Sequence, residues 1–274
     1  MESINTNVGA MIALQNLSST SSQLQMTQNI ISTGLKVSSA KDDGAIYAIA
    51  QNQRATVSSL DAVTDSLNRN ASVVDVAMSA GDSITDLLTQ MKSKALAASD
   101  TSLDTTSRDA MQTDFNSLRD QITSTISNAS FNGIDILDGS TTKLSALANA
   151  TGTATLTVQG QDMSLGGSIV SVGTTASFGT ATSASALLTT IDSSINNVSA
   201  ALAKLGTSST ALQNHITFVG KLQNALNQGI GNLVDADMAT ESSKLQALQT
   251  KQSLGVQALS IANQSTSTVL SLFR

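Results

Sequence analysis

Apolar residues recur at alternating steps of three and four over about 55 residues from Gly44 onward, and this stripe constrains the fold more than any other feature. At 1.5 Å per residue the stripe predicts one continuous helix of roughly 80 Å. A compact globule of 274 residues does not accommodate so long a helix. The stripe residues are Ile46, Ile49, Leu60, Val63, Leu67, Val74, Ala77, Ile84, Leu88, Met91, Ala95 and Ala98. The sequence therefore predicts a mainly α fold, a long antiparallel helical bundle or coiled coil.

Two more helices and a short β region follow along the chain. A helix is predicted from about Thr105, ending near the turn signal Asn132-Gly133, and a second long stripe runs from Leu188 to Leu233. Between them, residues from about 138 to 184 are rich in Gly, Ser and Thr. Short alternating pieces at 153–158 and 169–172 predict β-strands or hairpins there.

The two ends of the chain carry apolar stripes with polar interruptions. We expect the ends to pair with each other and with other copies through these residues: Leu14, Leu17, Leu24, Ile31, Met238, Leu245, Leu248, Leu259, Val269, Leu270 and Phe273. Glu241, Gln252 and Thr266 interrupt the C-terminal stripe at the same spacing, which makes a lone helix marginal. The ends are therefore predicted to be disordered in the monomer until a partner covers them.

Composition excludes several classes of function. The formal net charge of -6 argues against binding to nucleic acid, and the sequence shows neither a secretory signal nor an apolar run that spans a bilayer. The chain has no Cys and one His, which excludes thiolate chemistry and a histidine-based zinc site. We predict no catalytic residues, no metal and no cofactor.

The few titratable residues that stand out have structural interpretations. His215 is interpreted as a helix-surface residue, although a Ser-His-Asp triad would have to use it. The neighbours Asp42 and Asp43, and the pair Asp235 and Asp237, are interpreted as solvated carboxylates at helix starts in preference to an acid–base pair.

Several sequence blocks, in order and at matching spacing, resemble bacterial flagellins. Residues 32–50 read STGLKVSSAKDDGAIYAIA, similar to the N-terminal signature of that family. Blocks at 4–7, 131–133, 235–239, 262–264 and 269–274 agree as well. The resemblance covers roughly the first 140 and the last 90 residues and leaves the middle uncovered.

The resemblance implies a structural subunit that is exported by the flagellar type III apparatus and self-assembles outside the cell into the flagellar filament for swimming motility. It implies residues 1–43 with 235–274 as an inner coiled-coil domain, 44–140 with 186–234 as a rod-like helical domain, and 141–185 as a small β insert on the outer surface. Implied partners are copies of the chain itself, the flagellar cap, junction proteins and an export chaperone, with no nucleic acid and no membrane insertion.

Three alternatives have distinguishing features. A hook-filament junction protein shares the terminal architecture, and extended filaments grown from purified protein would decide against it. Some flagellins carry a metalloprotease motif in the middle region, but that motif needs two histidines and the middle of this chain has none. A generic coiled-coil secretion accessory would explain the stripes but not the signature blocks.

Hydroxyl residues in the middle region are candidates for O-linked sugars, as in related filaments. The candidates are Thr174, Thr175, Ser177, Thr180, Thr182 and Ser183. A plain hydroxylated surface fits the same residues, and the intact mass of the subunit from native filaments would distinguish the two.

We predict weak activation of the vertebrate innate receptor for flagellin. Residues 88–96 fall where many flagellins carry an Arg- and Leu-bearing motif, and here Gln90 replaces an Arg and Lys94 a Leu. The measurement is a reporter-cell assay at low monomer concentration. Strong signalling there would contradict the prediction.

Overall fold

The computed structural model describes the backbone of residues 6–271 and the side chains of residues 6–264. Within this part, five helices flank one two-stranded sheet, which confirms the predicted mainly α fold with a small β-hairpin. The elements are α1 (Val8–Thr33), α2 (Gly44–Ala98), α3 (Thr105–Ser127), β1 (Lys143–Leu147), β2 (Thr155–Gln159), α4 (Ala181–Val234) and α5 (Met238–Ser271). No helix among the described residues is both long and apolar enough to cross a membrane.

Contacts between Cα atoms divide the chain into two compact units. Unit 1 contains the described residues of Met1–Ala55 and Ala225–Arg274, and unit 2 is Thr56–Asn224. Unit 1 therefore holds α1, α5, the first turns of α2 and the end of α4. Unit 2 holds α3, the hairpin and the remainder of the two long helices.

The long stripe of α2 forms the core of unit 2, as the sequence predicts. Leu67, Ile84, Leu88 and Met91 are completely buried, and on α4 Ile191, Val198 and Leu212 are buried in the same way. The stripe prediction was wrong at Ile49, in unit 1, whose side chain is 48% exposed while Ala50 beside it is buried. Burying Leu, Ile and Met side chains contributes about 2 kcal/mol each, so the stripe is the main source of stability in this unit.

Arg108 fastens the turn between α2 and α3. Its guanidinium is buried and donates to the carbonyl oxygens of Ala98, Asp100 and Leu103 at 3.0, 2.9 and 3.2 Å. The last carbonyls of a helix lack partners within the helix, and a cation at that end also complements the helix dipole. The helix α3 itself ends at Ser127, earlier than predicted, and Asn132-Gly133 forms a separate turn with positive φ at both residues.

The middle region contains less strand than predicted. The strands β1 and β2 pair antiparallel, with Leu144 opposite Val158 and Ala146 opposite Leu156. The prediction of a strand at 169–172 was wrong. Val170 and Val172 are buried, but their carbonyls both accept from one N–H, that of Gly166, at 2.9 and 2.8 Å, and the segment forms no strand. This segment is bonded to a helix through its backbone, since the Ser171 N–H donates to the Ser194 hydroxyl of α4 at 3.0 Å.

His215 lies on α4, as predicted, and its ring also bonds to the hairpin. The ring is half-buried, and its Nε2 lies 2.8 Å from the carbonyl oxygen of Ala148, just beyond β1. In the neighbouring residue, the Leu147 N–H donates to the buried Ser66 hydroxyl of α2 at 3.1 Å. The hairpin is thus bonded to both long helices of unit 2.

Replacing Arg108 tests the fastening of the α2–α3 turn. Arg108→Ala leaves three carbonyls without this donor and is expected to lower the free energy of unfolding of unit 2 by about 3 kcal/mol, while Arg108→Lys keeps the charge and one donor nitrogen and loses less. Urea denaturation of the full-length monomer, followed by circular dichroism, measures both. Equal stability of the Ala and wild-type proteins would contradict this role.

Candidate functional site

Unit 1 is built where the two ends of the chain cross. The N–H of Lys36 donates to the carbonyl of Val234 at 2.7 Å, and the N–H of Ala236 donates to that of Gly34 at 2.9 Å. Gly34 ends α1 with φ 73°, a conformation that glycine adopts without strain, and its N–H donates to Ile30 at 2.8 Å. The signature residues 34–37 therefore form the crossing point with residues 234–236.

The carboxylates of the signature blocks hold helix starts, as the sequence predicts. Asp43 accepts from the N–H groups of Ala45 and Ile46, both at 3.0 Å, at the start of α2. Asp42 accepts from the N–H and hydroxyl groups of Ser39 and Ser38. The Ser39 N–H, followed by the Ser38 hydroxyl and N–H, lowers the pKa of Asp42 below its ordinary value of 3.8. Both carboxylates thus serve a structural purpose by accepting hydrogen bonds from nearby N–H groups.

The two terminal helices are capped in the same way. Asn7 accepts from the N–H of Ala10 at 2.9 Å, and its amide donates to the carbonyl of Ala262 in α5 at 2.8 Å. Asp237 starts α5, where the hydroxyl and N–H of Thr240 lower the pKa of its carboxyl. Asn7 thus joins a helix cap to a contact between the two ends of the chain.

The helices α1 and α5 pack against each other antiparallel along a line that we call the α1–α5 seam. On α1, Thr20, Leu24 and Thr27 are buried, and Leu17 lies so close to Gly255 that a Cβ there would stand 3.3 Å from the Leu17 side chain. The α5 residues of the seam recur at steps of four and three and are Glu241, Leu245, Leu248, Gln252, Gly255, Leu259 and Ala262. This heptad spacing is that of a coiled coil.

Polar groups interrupt the seam and weaken it. The Thr27 hydroxyl is buried without a hydrogen-bond partner, and so is one carboxylate oxygen of Glu241, whose other oxygen lies 3.4 Å from Lys244. A buried polar group without a partner costs about 1–3 kcal/mol. The seam therefore offsets apolar burial with unpaired polar atoms, and the pairing is weaker than that of an all-leucine coiled coil.

The outer faces of the same two helices expose large apolar side chains, which we call the outer face. Its members are more than half exposed and are Val8, Met11, Ile12, Leu14 and Met26 on α1, with Leu254, Val256 and Ile261 on α5. Apolar groups concentrated on an exposed surface mark a site of interaction. Unit 1 therefore presents one apolar line inward and another outward.

The residues predicted to mediate polymerisation divide between these two lines. Leu24 and Leu248 are buried in the seam, Leu17, Ile31, Leu245 and Leu259 are half-buried, and Leu14 and Met238 are exposed. The side chains of Val269 and Leu270, and all of Phe273, lie outside the described residues. Heptad spacing missed most of the outer face, because Leu254, Val256 and Ile261 stand off the heptad. Apolar residues between heptad positions were the available signal.

The other predicted positions lie in unit 2. Gln90 is exposed on α2, and Lys94 forms an ion pair with Asp114 of α3 at 2.6 Å. Thr180 and Ser183 exchange hydrogen bonds between hydroxyl and N–H groups at the start of α4, whereas the other four candidate hydroxyls are exposed, at Thr174, Thr175, Ser177 and Thr182. Within the described residues no cluster of three or more His, Asp or Glu side chains is arranged to bind a metal ion.

Comparisons with known proteins agree with the sequence blocks. Residues 4–142 match the family model for the bacterial flagellin N-terminal helical region, and residues 188–273 match that for the C-terminal helical region. Flagellin FljM of Caulobacter vibrioides is 60% identical over 274 residues, covering 100% of this chain and 99% of the relative. The flagellin of Brucella melitensis is 37% identical over 283 residues and is covered completely, as is this chain.

A solved structure shows a similar fold at low identity. It is described as a "putative flagellar hook-associated protein" from Vibrio parahaemolyticus, with a TM-score of 0.56, 18% identity, and coverage of 71% of this chain and 100% of that chain. At this identity the likeness extends to the fold alone.

Substitution of Thr27 tests the weakness of the seam. Thr27→Val removes a buried hydroxyl that has no partner and is expected to stabilise the pairing of α1 with α5 by about 1 kcal/mol. Thr20→Val is the matched control, since the buried Thr20 hydroxyl donates to Asn16 at 2.8 Å and its loss gives no gain. Amide hydrogen exchange of α1 in the full-length protein should slow in the first variant only. Faster exchange in Thr27→Val would contradict this account.

Proposed function

This chain belongs to the bacterial flagellin family and is a structural subunit of the extracellular flagellar filament, and we propose that its copies join through the outer face of α1 and α5. The observation that carries the proposal is the set of apolar side chains more than half exposed on both terminal helices. Exposing apolar side chains to water is unfavourable. Covering them with the same surface of neighbouring copies removes this free-energy cost.

The proposal assigns different tasks to the two apolar lines of unit 1. The seam pairs the ends within one subunit, while the outer face binds neighbours. Because the seam contains unpaired polar atoms at Thr27 and Glu241, its own stability is small. Disorder of both ends in the free monomer therefore remains our prediction, with ordering completed by burial against other copies.

Export and further partners belong to the same proposal. A chain without cysteine and with weakly paired ends unfolds without breaking covalent cross-links, which suits passage through the flagellar type III apparatus. The flagellar cap, junction proteins and an export chaperone are the partners that membership of the family suggests. The inner, rod-like and insert domains predicted from the sequence, with boundaries at 43, 140, 185 and 234, belong to this proposal too.

Two finer assignments remain proposals. Gln90 and Lys94, which replace the Arg and Leu of the motif, support weak receptor recognition. The ion pair with Asp114 holds the Lys94 side chain against α3. For sugars, we favour Thr174, Thr175, Ser177 and Thr182, since modification of Thr180 or Ser183 would remove the cap of α4.

Deletion of residues 235–274 tests the proposed mechanism. The shortened chain loses α5, its seam and the three outer-face residues of α5, and is expected to be soluble and unable to polymerise. Electron microscopy of purified protein under conditions in which the full chain assembles is the measurement. Filaments from the shortened chain would refute the mechanism.

Point substitutions separate the outer face from a general loss of structure. Leu254→Ser with Ile261→Ser removes two outer-face side chains that are 58% and 67% exposed, so each folded subunit loses little. The matched control is Gln257→Ser on the same helix, which is exposed but polar. The double variant should stay monomeric at concentrations where the control assembles, and normal assembly of the double variant would remove the outer face from the mechanism.

A further inference from the structure

A groove lies between α2 and α3 in unit 2, and we call it the α2–α3 groove. Its volume is about 500 Å³, and its walls are residues 76–83 of α2 and residues 121–129, which are the end of α3 and the two residues after it. Small side chains line it, among them Val76, Ala80 and Ala129 as apolar members. No element of the described chain covers it.

The polar side chains of the groove, Gln121 apart, already donate hydrogen bonds to the backbone nearby. Each donates to the backbone carbonyl four residues earlier, at 2.7–3.1 Å, and these residues are Ser79, Ser83, Ser124, Thr125 and Asn128. Covering the four hydroxyls with an apolar side chain therefore leaves no donor of theirs without an acceptor, whereas the Asn128 amide has a second N–H. The usual penalty for burying a hydroxyl is largely avoided, so this part of the groove behaves as an apolar surface.

A matching projection stands on α4 of the same unit. Phe218 and Leu222 are one helical turn apart and 55% and 37% exposed, and we call them the α4 knob. The Phe218 ring lies 5.8 Å from the His215 ring, which is bonded to the carbonyl of Ala148. Since this contact limits the motion of Phe218 before binding, less conformational entropy is lost on docking.

Charges next to the two surfaces are complementary. Lys221 is exposed between the two residues of the knob, whereas Asp82 and Asp86 are exposed on α2 beside the groove. Within the described residues none of these three side chains forms an ion pair in its own subunit. Opposite charges of this kind favour one orientation of a contact between two copies.

We propose that the α4 knob of one subunit docks into the α2–α3 groove of a second copy of the chain. The proposal rests on the filament function proposed above and names a contact outside the terminal helices. Knob and groove are different surfaces, so each subunit offers one of each, and the contact continues from copy to copy without closing into a pair.

Disulfide cross-linking tests the contact, because the chain has no cysteine of its own. The variant Ser83→Cys with Leu222→Cys places one thiol in the groove and one on the knob. A bridge within one subunit is excluded, since the contact of Gln223 with Asp61 sets residue 222 about 33 Å along α2 from residue 83. Filaments oxidised with copper phenanthroline and dissolved without reductant should give a ladder of covalent dimers, trimers and longer chains.

The control is Ser83→Cys with Leu96→Cys, where the second thiol is more exposed than at Leu222 but lies away from the knob. It should remain monomeric after the same treatment. If oxidised filaments of the knob–groove variant also dissolve into monomers only, the proposed contact is overturned. The filament function is not affected by that result, because assembly is observed separately.

A second measurement covers the case in which the cysteine variant does not assemble. Phe218→Ser with Leu222→Ser is expected to raise the critical concentration for assembly about tenfold, and Leu96→Ser is expected to leave it unchanged. An unchanged critical concentration in the first variant would overturn the proposal. Loss of assembly in the truncated chain alone, with no effect here, would assign polymerisation to the terminal helices only.

Discussion

The seam between α1 and α5 joins residues at opposite ends of the sequence, and the arrangement of unit 1 depends on it. The hydrogen bond from Asn7 to Ala262 spans 255 positions in the chain. Closing a connection of this length costs chain entropy that local contacts do not repay. The seam must therefore obtain its stability from apolar burial, and it contains few fully buried apolar residues, Leu24 and Leu248 among them. The backbone bonds at the crossing of residues 34–37 with 234–236 and the Asn7–Ala262 bond add a fixed register.

The low stability of the seam explains a difference between the two units. Both consist of similar amphipathic helices, but their apolar stripes differ. In unit 2 the apolar stripe of α2 is almost unbroken, and Leu67, Ile84 and Leu88 are completely buried. In unit 1 threonine, glutamate and glutamine occupy equivalent positions. A subunit that gains its last order from neighbours needs this difference, since a seam as apolar as the α2 core would fold alone and leave less free energy coupled to assembly.

Much of this could be predicted from the sequence, for identifiable physical reasons. Helical periodicity located the five helices of the described residues. Buried positions such as Leu67 and Leu88 recur at the spacing that the geometry of the α-helix imposes. The capping roles of Asp43 and Asp237 followed from their positions before apolar runs. Periodicity failed at 169–172, where two alternating valines are buried but form no strand. It also gave no sign of the hydrogen-bond partner of His215, since Ala148 is 67 positions away. The outer face was mostly missed because a heptad pattern identifies what one helix shows to its partner, not what a pair of helices shows to other molecules.

Roughly a quarter of the chain is Ser plus Thr, and the structure shows what many of these hydroxyls do. In the helices they donate to the carbonyl four residues back, as Thr64, Ser117 and Ser199 do at 2.9–3.1 Å. In an extended chain the same hydroxyls have no such carbonyl within reach and bond to water instead. One set of side chains therefore keeps the unfolded polypeptide well hydrated and gives the folded helices a drier surface. The hydration of these residues thus depends on the backbone conformation. Folding alone turns side chains that keep the unfolded chain soluble into part of a less hydrated surface.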